Sequence, residues 1–351
     1  MSGRVDGPPE ELFSRIANAL RLSDGRFVVA DGMELRISVY DSVGRLQSVF
    51  GRSGRGPGDY RSIGGMWSIG PDTIGVWDAR LQRITHVRPQ GEVVRTIAPR
   101  FDELRAPTAA GTLDAFLGAF PDGRVVLAWL AAGRGGPDEL LPDQMVIGLF
   151  AADGTFQKVL GRVEGMVRIH KPGIGGGPVP FSPFPWAAVV QGRLAFTSGL
   201  TSDIAIFAVD AVSESQIATV RSPSRQLALR DAWRELDDVL EGASSSGPLL
   251  ALTRSMDRSI GQVPQIARMF ADDQGHLWVK EYKPGSDAMP VRREPYVTGG
   301  RWNIIALSGR VVAHISLPPD IAPVAVHGPY LLGIARDSLD VERFTVYRLM
   351  R

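Results

Sequence analysis

An all-β fold is the expectation for this chain, and three observations carry it. Short apolar strands alternate with turn signals throughout a sequence of 351 residues that holds 40 glycines and 25 prolines. A two-strand unit recurs, because Gly25 and Gly44 are separated by the same interval as Asp72 and Gly91, and each pair brackets two strands. The strands then group in fours, and the first strand of every group carries small residues. Radial repetition of four-stranded sheets is a β-propeller. The predicted architecture is therefore a six-bladed β-propeller of antiparallel blades, a single domain over residues 1–351, with the last blade incomplete.

The stretch Phe27 to Tyr60 sets the pattern. Val28-Val29-Ala30 is a short apolar run, and Leu35 to Tyr40 and Leu46 to Phe50 alternate. Asp24-Gly25 and Asp41 to Gly44 supply the turns. The first blade is expected from about Arg15 to Gly51 and the second from Ser62 to Ala98. The third takes Thr112 to Leu160, turning at Pro121-Asp122-Gly123 and Asp153-Gly154. The fourth takes Pro185 to Arg221, turning at Gln191-Gly192. The fifth takes Pro264 to Leu317, with turns at Asp273–Gly275 and Ser308-Gly309. The sixth has three strands, Ile321–Val326, Tyr330–Ala335 and Glu342–Leu349. First strands crowd a central axis, where Ala17 and Ala19, Gly64 and Gly65, Gly118 and Ala119, Ala187 and Ala188, Ala267 and Ala325 leave room.

Successive connections of a meander emerge on opposite faces. The tight turns fall in one class, and the long segments fall in the other: Gly51–Arg61, Pro99–Gly111, Ala131–Asp143, Arg162–Phe184, Ser222–Val263 and Lys283–Gly300. One face is thus trimmed and the other elaborated, and loops on a rigid frame are where binding concentrates. Within the longest insertion, Leu229, Trp233, Leu236 and Leu240 form a stripe at helical period, predicting a helix over Arg225–Glu241 that stops at Gly242. Trp233 is expected to anchor that helix. The three-strand last blade calls for a closing strand, either Ser2–Asp6 or a segment upstream of this sequence.

Composition narrows the function. A net charge of +1 without a basic block argues against nucleic acid as a partner. No apolar run is long enough for a transmembrane helix. The absence of cysteine removes disulfides and thiolate chemistry. The five histidines (His86, His170, His276, His314, His327) show no metal-ligand spacing, and no GxSxG elbow is present. Asp272-Asp273-Gln274-Gly275 lacks the later glutamate of a calcium loop and reads as a turn. No cofactor is expected, and the chain is expected to be a monomer.

With these residues placed, the chain resembles six-bladed β-propeller proteins of the NHL-like group, particularly bacterial extracytoplasmic members. The likeness runs from Val28-Val29-Ala30-Asp31 through Arg36–Asp41 and Gly44 into Phe50-Gly51-Arg52-Ser53-Gly54-Arg55-Gly56-Pro57-Gly58-Asp59-Tyr60. It returns in Asp273–Val279, Trp302, Leu317-Pro318, Leu332-Gly333 and Val341–Leu349. The fourth blade departs, since Thr201-Ser202-Asp203 lacks the Asp-to-Arg spacing. The resemblance implies the fold and, with an N-terminal export segment, a periplasmic or secreted location. It names no activity.

Candidate site residues fall in two loops. The linker Gly51–Gly58 could cradle an anion on its backbone N–H groups, with Arg52 and Arg55 adding charge and Asp59 and Tyr60 closing it, or it could serve as a blade-to-blade linker. The Gly165–Pro185 segment, with His170, Lys171, Phe181 and Phe184, reads as a long irregular loop, either a mobile lid or partner-binding loop or an unstructured insertion. Asp31/Arg36 and Asp78/Arg83 read as pairs across hairpins that fix register. The functional expectation is a non-catalytic scaffold that binds a protein or small molecule on its long-loop face. The alternative is a metal-dependent hydrolase of lactones or esters, for which Glu10, Glu11 and Asn18 are the polar residues at the first inner strand.

Overall fold

The computed structural model describes residues 13–100, 113–131, 138–209, 214–241, 248–288, 299–336 and 341–350. The first sheet contains β1 (Ile16–Arg21), β2 (Phe27–Asp31), β3 (Arg36–Tyr40) and β4 (Leu46–Phe50). The second contains β5 (Gly65–Ser68), β6 (Ile74–Asp78), β7 (Arg83–Val87) and β8 (Val93–Ile97). The third has β9 (Leu113–Ala119), β10 (Val125–Ala131), β11 (Leu141–Phe150), a long β12 (Phe156–Lys171) and a fifth strand, β13 (Gly175–Pro178). The fourth contains β14 (Trp186–Val190), β15 (Arg193–Thr197), β16 (Asp203–Val209) and β17 (Glu214–Arg221). The fifth contains β18 (Ile266–Ala271), β19 (His276–Glu281), β20 (Gly300–Ala306) and β21 (Val311–Leu317). The sixth has three, β22 (Ile321–His327), β23 (Tyr330–Arg336) and β24 (Glu342–Arg348).

Every sheet is an antiparallel meander, and the first strands touch in a ring: β1 meets β5, then β9, β14, β18 and β22 follow in turn, and β22 returns to β1. The chain is a β-propeller. Its core lies between neighbouring sheets. Val28 and Ile37 pack with Ile74 and Val76, Trp77 with Leu127, and Ile147 with Leu194. Ile204 packs with Val279, Trp278 with Leu331, and Phe27 with Phe344 across the closing seam. This explains the strand patterns. All of β2 and β6 is buried, because a second strand is covered on both faces and therefore reads as an unbroken apolar run. The outermost β4 has one drier and one wetter face, and it alternates.

The ring is tied at its seam by a side chain. The Glu342 carboxylate accepts the Ile16 backbone N–H at 2.6 Å and a guanidinium N–H from Arg336 at 2.8 Å. The closing strand expected at Ser2–Asp6 lies outside the described residues, as does the Gly242 helix stop.

On the trimmed face, glycines at positive φ close the turns. At Gly154, φ is +86°, its N–H donates to Ala151 O, and its carbonyl accepts the Arg100 N–H at 2.9 Å. A Cβ there would stand 2.6 Å from Ile97 Cγ2 and 3.0 Å from Ala98 O. Gly154→Ala combines left-handed strain with a clash against backbone, and is expected to cost about 2–3 kcal/mol in urea unfolding. A loss below about 0.5 kcal/mol would show that this turn is not a packing contact between the second and third sheets.

Two expectations are corrected. The segment beyond Arg162 is a strand and hairpin, not an irregular loop. Val163, Val167 and Ile169 alternate with Glu164, Arg168 and His170, a strand pattern interrupted by Gly165. The insertion helix is α1 (Leu229–Glu241), starting later than Arg225, and it is joined by a second, α2 (Pro248–Arg254).

Candidate functional site

The elaborated face begins with a repeated device. Asp31 ends β2 and is fully buried. Its carboxylate accepts N–H groups from Ser14 (2.7 Å), Arg15 (3.3 Å), Met33 (2.9 Å) and Glu34 (3.1 Å). Asp78 ends β6 in the same way. It accepts from the Arg61 N–H (2.7 Å), the Ser62 hydroxyl (2.9 Å) and the N–H groups of Arg80 (3.0 Å) and Leu81 (2.9 Å). Each aspartate clamps the segment that enters its sheet to a hairpin turn. Asp31 and Arg36 do face each other in register, as do Asp78 and Arg83. These are the register pairs across hairpins that the sequence predicts, and their carboxylates in addition serve backbone N–H groups.

Arg83 reaches instead into the glycine-rich linker. Its guanidinium donates to the carbonyls of Arg55 (3.0 Å), Gly56 (2.9 Å) and Asp59. Asp59 accepts from Arg52 Nε at 2.8 Å and from the Gly56 N–H at 3.1 Å. The linker thus carries its own anion where an external one was considered. Gly54 leaves the room, since a Cβ there would lie 2.3 Å from Asp59 Oδ2. The Arg52 hydrogen bond is the leading cause that holds the Asp59 carboxyl below the usual carboxylate range. Tyr60 is fully buried in the core between the first two sheets, and burial pushes its hydroxyl well above the ordinary tyrosine value. Arg52 and Arg55 stay exposed.

The other candidates lie in a cap built from β12, β13, α1, α2 and the short α3 (Pro284–Asp287). The connections that carry them all emerge on the elaborated face. The cap has its own apolar core: Ile169, Phe181, Trp233, Leu236, Leu252 and Met256 are buried together. Phe181 meets Trp233 edge-on at 5.0 Å, Trp233 Nε1 donates to Ile260 O at 3.3 Å, and the Arg258 guanidinium lies 4.4 Å from the indole centroid. Trp233 is the anchor that its helical spacing predicts. Phe181 is 1% exposed and packs in the cap core. Lys171 Nζ donates to Ser255 O at 2.8 Å and fixes the hairpin to the loop after α2. His170 is exposed beside it. The two candidate groups therefore sit on different connections, one between the first and second sheets and one in the cap.

A further charged pair escaped the sequence reading. Lys280, on β19, is 1% exposed and donates to both carboxylate oxygens of Asp287, at 2.6 and 2.8 Å. Burial holds its ammonium below the usual lysine range, and Asp287 offsets part of that effect. Arg268 lies opposite Lys280 in register and donates to Pro323 O across the next sheet at 3.0 Å. The available signal was a lysine directly after Leu277-Trp278-Val279, on a second strand whose four central residues are all buried.

Among the described residues, no three Asp, Glu or His side chains come together as metal ligands. Asn18 lies half-buried on β1 opposite Ala30. Glu10 and Glu11 lie outside the described residues. No described helix is long and apolar enough to cross a membrane.

No family model matches the chain, and no curated protein does either. Solved structures do. A Bacteroides fragilis protein, provisionally named as exported, overlays with a TM-score of 0.56 at 10% identity, over 100% of this chain and 95% of that one. A DUF4221 family member from Bacteroides vulgatus gives 0.53 at 10%, over 96% and 93%. Regucalcin, a calcium-binding protein from Agrobacterium tumefaciens, gives 0.44 at 11%, over 95% and 90%. At these identities the two overlays with TM-scores above 0.5 show the fold alone.

Proposed function

We propose that this chain is a single-domain, six-bladed, NHL-like propeller that acts as a non-catalytic binding scaffold, engaging a protein partner through its capped face. The observation that supports it is the cap itself. The hairpin of β12 and β13 extends the third sheet and is fastened to the cap by Lys171, and Asp138 N donates to His170 O at 2.8 Å. Leu140 and Ile174 are exposed at the same end of that hairpin, alongside His170. Exposed apolar groups on an ordered frame lose little entropy when a partner covers them. An extracytoplasmic location belongs to the same proposal and rests on the resemblance in Phe27–Tyr60.

The test compares three forms as bait in quantitative affinity capture: wild type, a Leu140→Glu/His170→Ala/Ile174→Glu variant, and Val43→Glu on the trimmed face. A partner that rebinds in purified form to wild type and to Val43→Glu, with at least tenfold weaker binding to the hairpin variant, supports the proposal. Equal binding to all three overturns it. The metal-dependent hydrolase predicts a different result, a saturable thermal shift with Ca²⁺, Mn²⁺ or Zn²⁺ that a chelator reverses.

A further inference from the structure

Between the third and fourth sheets the packing leaves a cavity of about 160 Å³ whose lining is entirely apolar side chains and one glycine. Ile147, Leu194 and Val209 form its buried floor. Leu160, Val163, Phe196 and Phe207 are half-buried and form its rim, so the cavity reaches the surface.

Its position follows from two irregularities in the strands. On β12 the register passes from Ile147↔Gly161 to Gly148↔Val159, which leaves Leu160 as a bulge. On β17 it passes from Ile206↔Ala218 to Phe207↔Gln216, which leaves Ile217 unpaired. Bulges bend and twist a strand, and these two lie in the outer strands of the two sheets that face each other here. Gly161 enlarges the gap. It pairs with Ile147 and so shares its face, and a Cβ built on it would meet no atom within 4 Å.

We propose that this cavity is a binding site for a small molecule presenting an unsubstituted aromatic ring. Its volume is close to the roughly 150 Å³ of a cavity lined by Leu, Ile and Phe that stays dry and accepts benzene. A lining without hydrogen-bonding side chains leaves a polar ligand group unsatisfied and costs it affinity. Phe196 and Phe207 offer the ring edges and faces that favour an aromatic over an aliphatic occupant. The site lies between two sheets, away from the hairpin end, and does not depend on the capped face binding anything.

Benzene is the probe. In wild type it is expected to raise the unfolding temperature saturably by roughly 1–4 °C at a hundredfold excess over Kd. It is also expected to shift the methyl resonances of Ile147, Leu194 and Val209 and leave those of Ile37 and Val76, between the first and second sheets, in place. Gly161→Leu fills the space from the β12 side and is expected to abolish both responses. Gly161→Val serves the same purpose if the leucine variant does not fold. The proposal is overturned if wild type shows no saturable response up to the solubility of benzene. It is equally overturned if the response survives in the filled variant, or if the shifted methyls lie elsewhere.

Discussion

Asp78→Ala is expected to lower the unfolding free energy by about 3–5 kcal/mol, at the high end of single-residue effects. Asp78 is fully buried and accepts three backbone N–H groups and a hydroxyl. Removing the carboxylate takes the acceptor from the Arg61 and Leu81 N–H groups and the Ser62 hydroxyl, while the Arg80 N–H keeps the Ser62 oxygen at 3.1 Å, and each buried unsatisfied donor costs about 1–3 kcal/mol before the backbone relaxes. Asp78→Asn keeps its oxygen where Oδ1 accepts from Ser62, Arg80 and Leu81 and places its NH2 only against the Arg61 N–H, so it is expected to recover more than half of the loss. Asp72→Ala is the control, because Asp72 is an exposed partner of Arg88, and such pairs contribute about 0–1 kcal/mol. Urea midpoints for the three variants decide the matter. An Asp78→Ala loss no larger than that of Asp72→Ala would mean that the clamp does not hold the linker onto the second sheet.

That residue shows what a sequence discloses and what it conceals. The interval from Asp31 to Arg36 and from Asp78 to Arg83 is visible as a repeat, and it correctly places two equivalent hairpins in register. The partners of the carboxylates are not visible. The N–H groups of Ser14 and Arg61 come from the preceding connection, and any residue there would supply them, so no side-chain pattern marks the contact. The sheets were legible for a related reason. A second strand covered on both faces must be an apolar run, and a tight turn needs glycine at positive φ, so both leave a mark at each repeat. The cap was legible only through α1, whose stripe is long enough to show its period. The β12 hairpin hid behind Gly165 and the Gly175–Gly177 tract, and α2 spans too few turns for its period to stand out. Arg52, Arg55 and Asp59 lie on one loop, which their spacing in the sequence discloses. That Asp59 would occupy its own glycine cradle depends on a close approach that only the folded backbone reveals.

Lys280→Met is expected to cost about 3–5 kcal/mol, and Asp287→Ala a similar amount, because either change leaves a buried charge without its partner. Together they are expected to cost far less than the sum, since the double variant strands neither group. Both oxygens of Asp287 are taken by Lys280, and Oδ2 also accepts the Lys283 N–H at 2.9 Å, so the carboxylate holds α3 against β19. Helix α3 in turn touches α1, and Phe181 N donates to Ala288 O at 3.1 Å. The buried pair is thus the polar anchor between the fifth sheet and the cap. Loss of one partner should therefore loosen the cap before it unfolds the propeller. Hydrogen exchange reads this directly: amides of α1 and of the hairpin should lose protection in each single variant and regain most of it in the double. Amides of β2 and β6, buried between the first two sheets, should change little in any of them. Uniform loss of protection across the ring would instead make the pair a general support of the propeller, and the cap would have to be held by its apolar core around Trp233 alone.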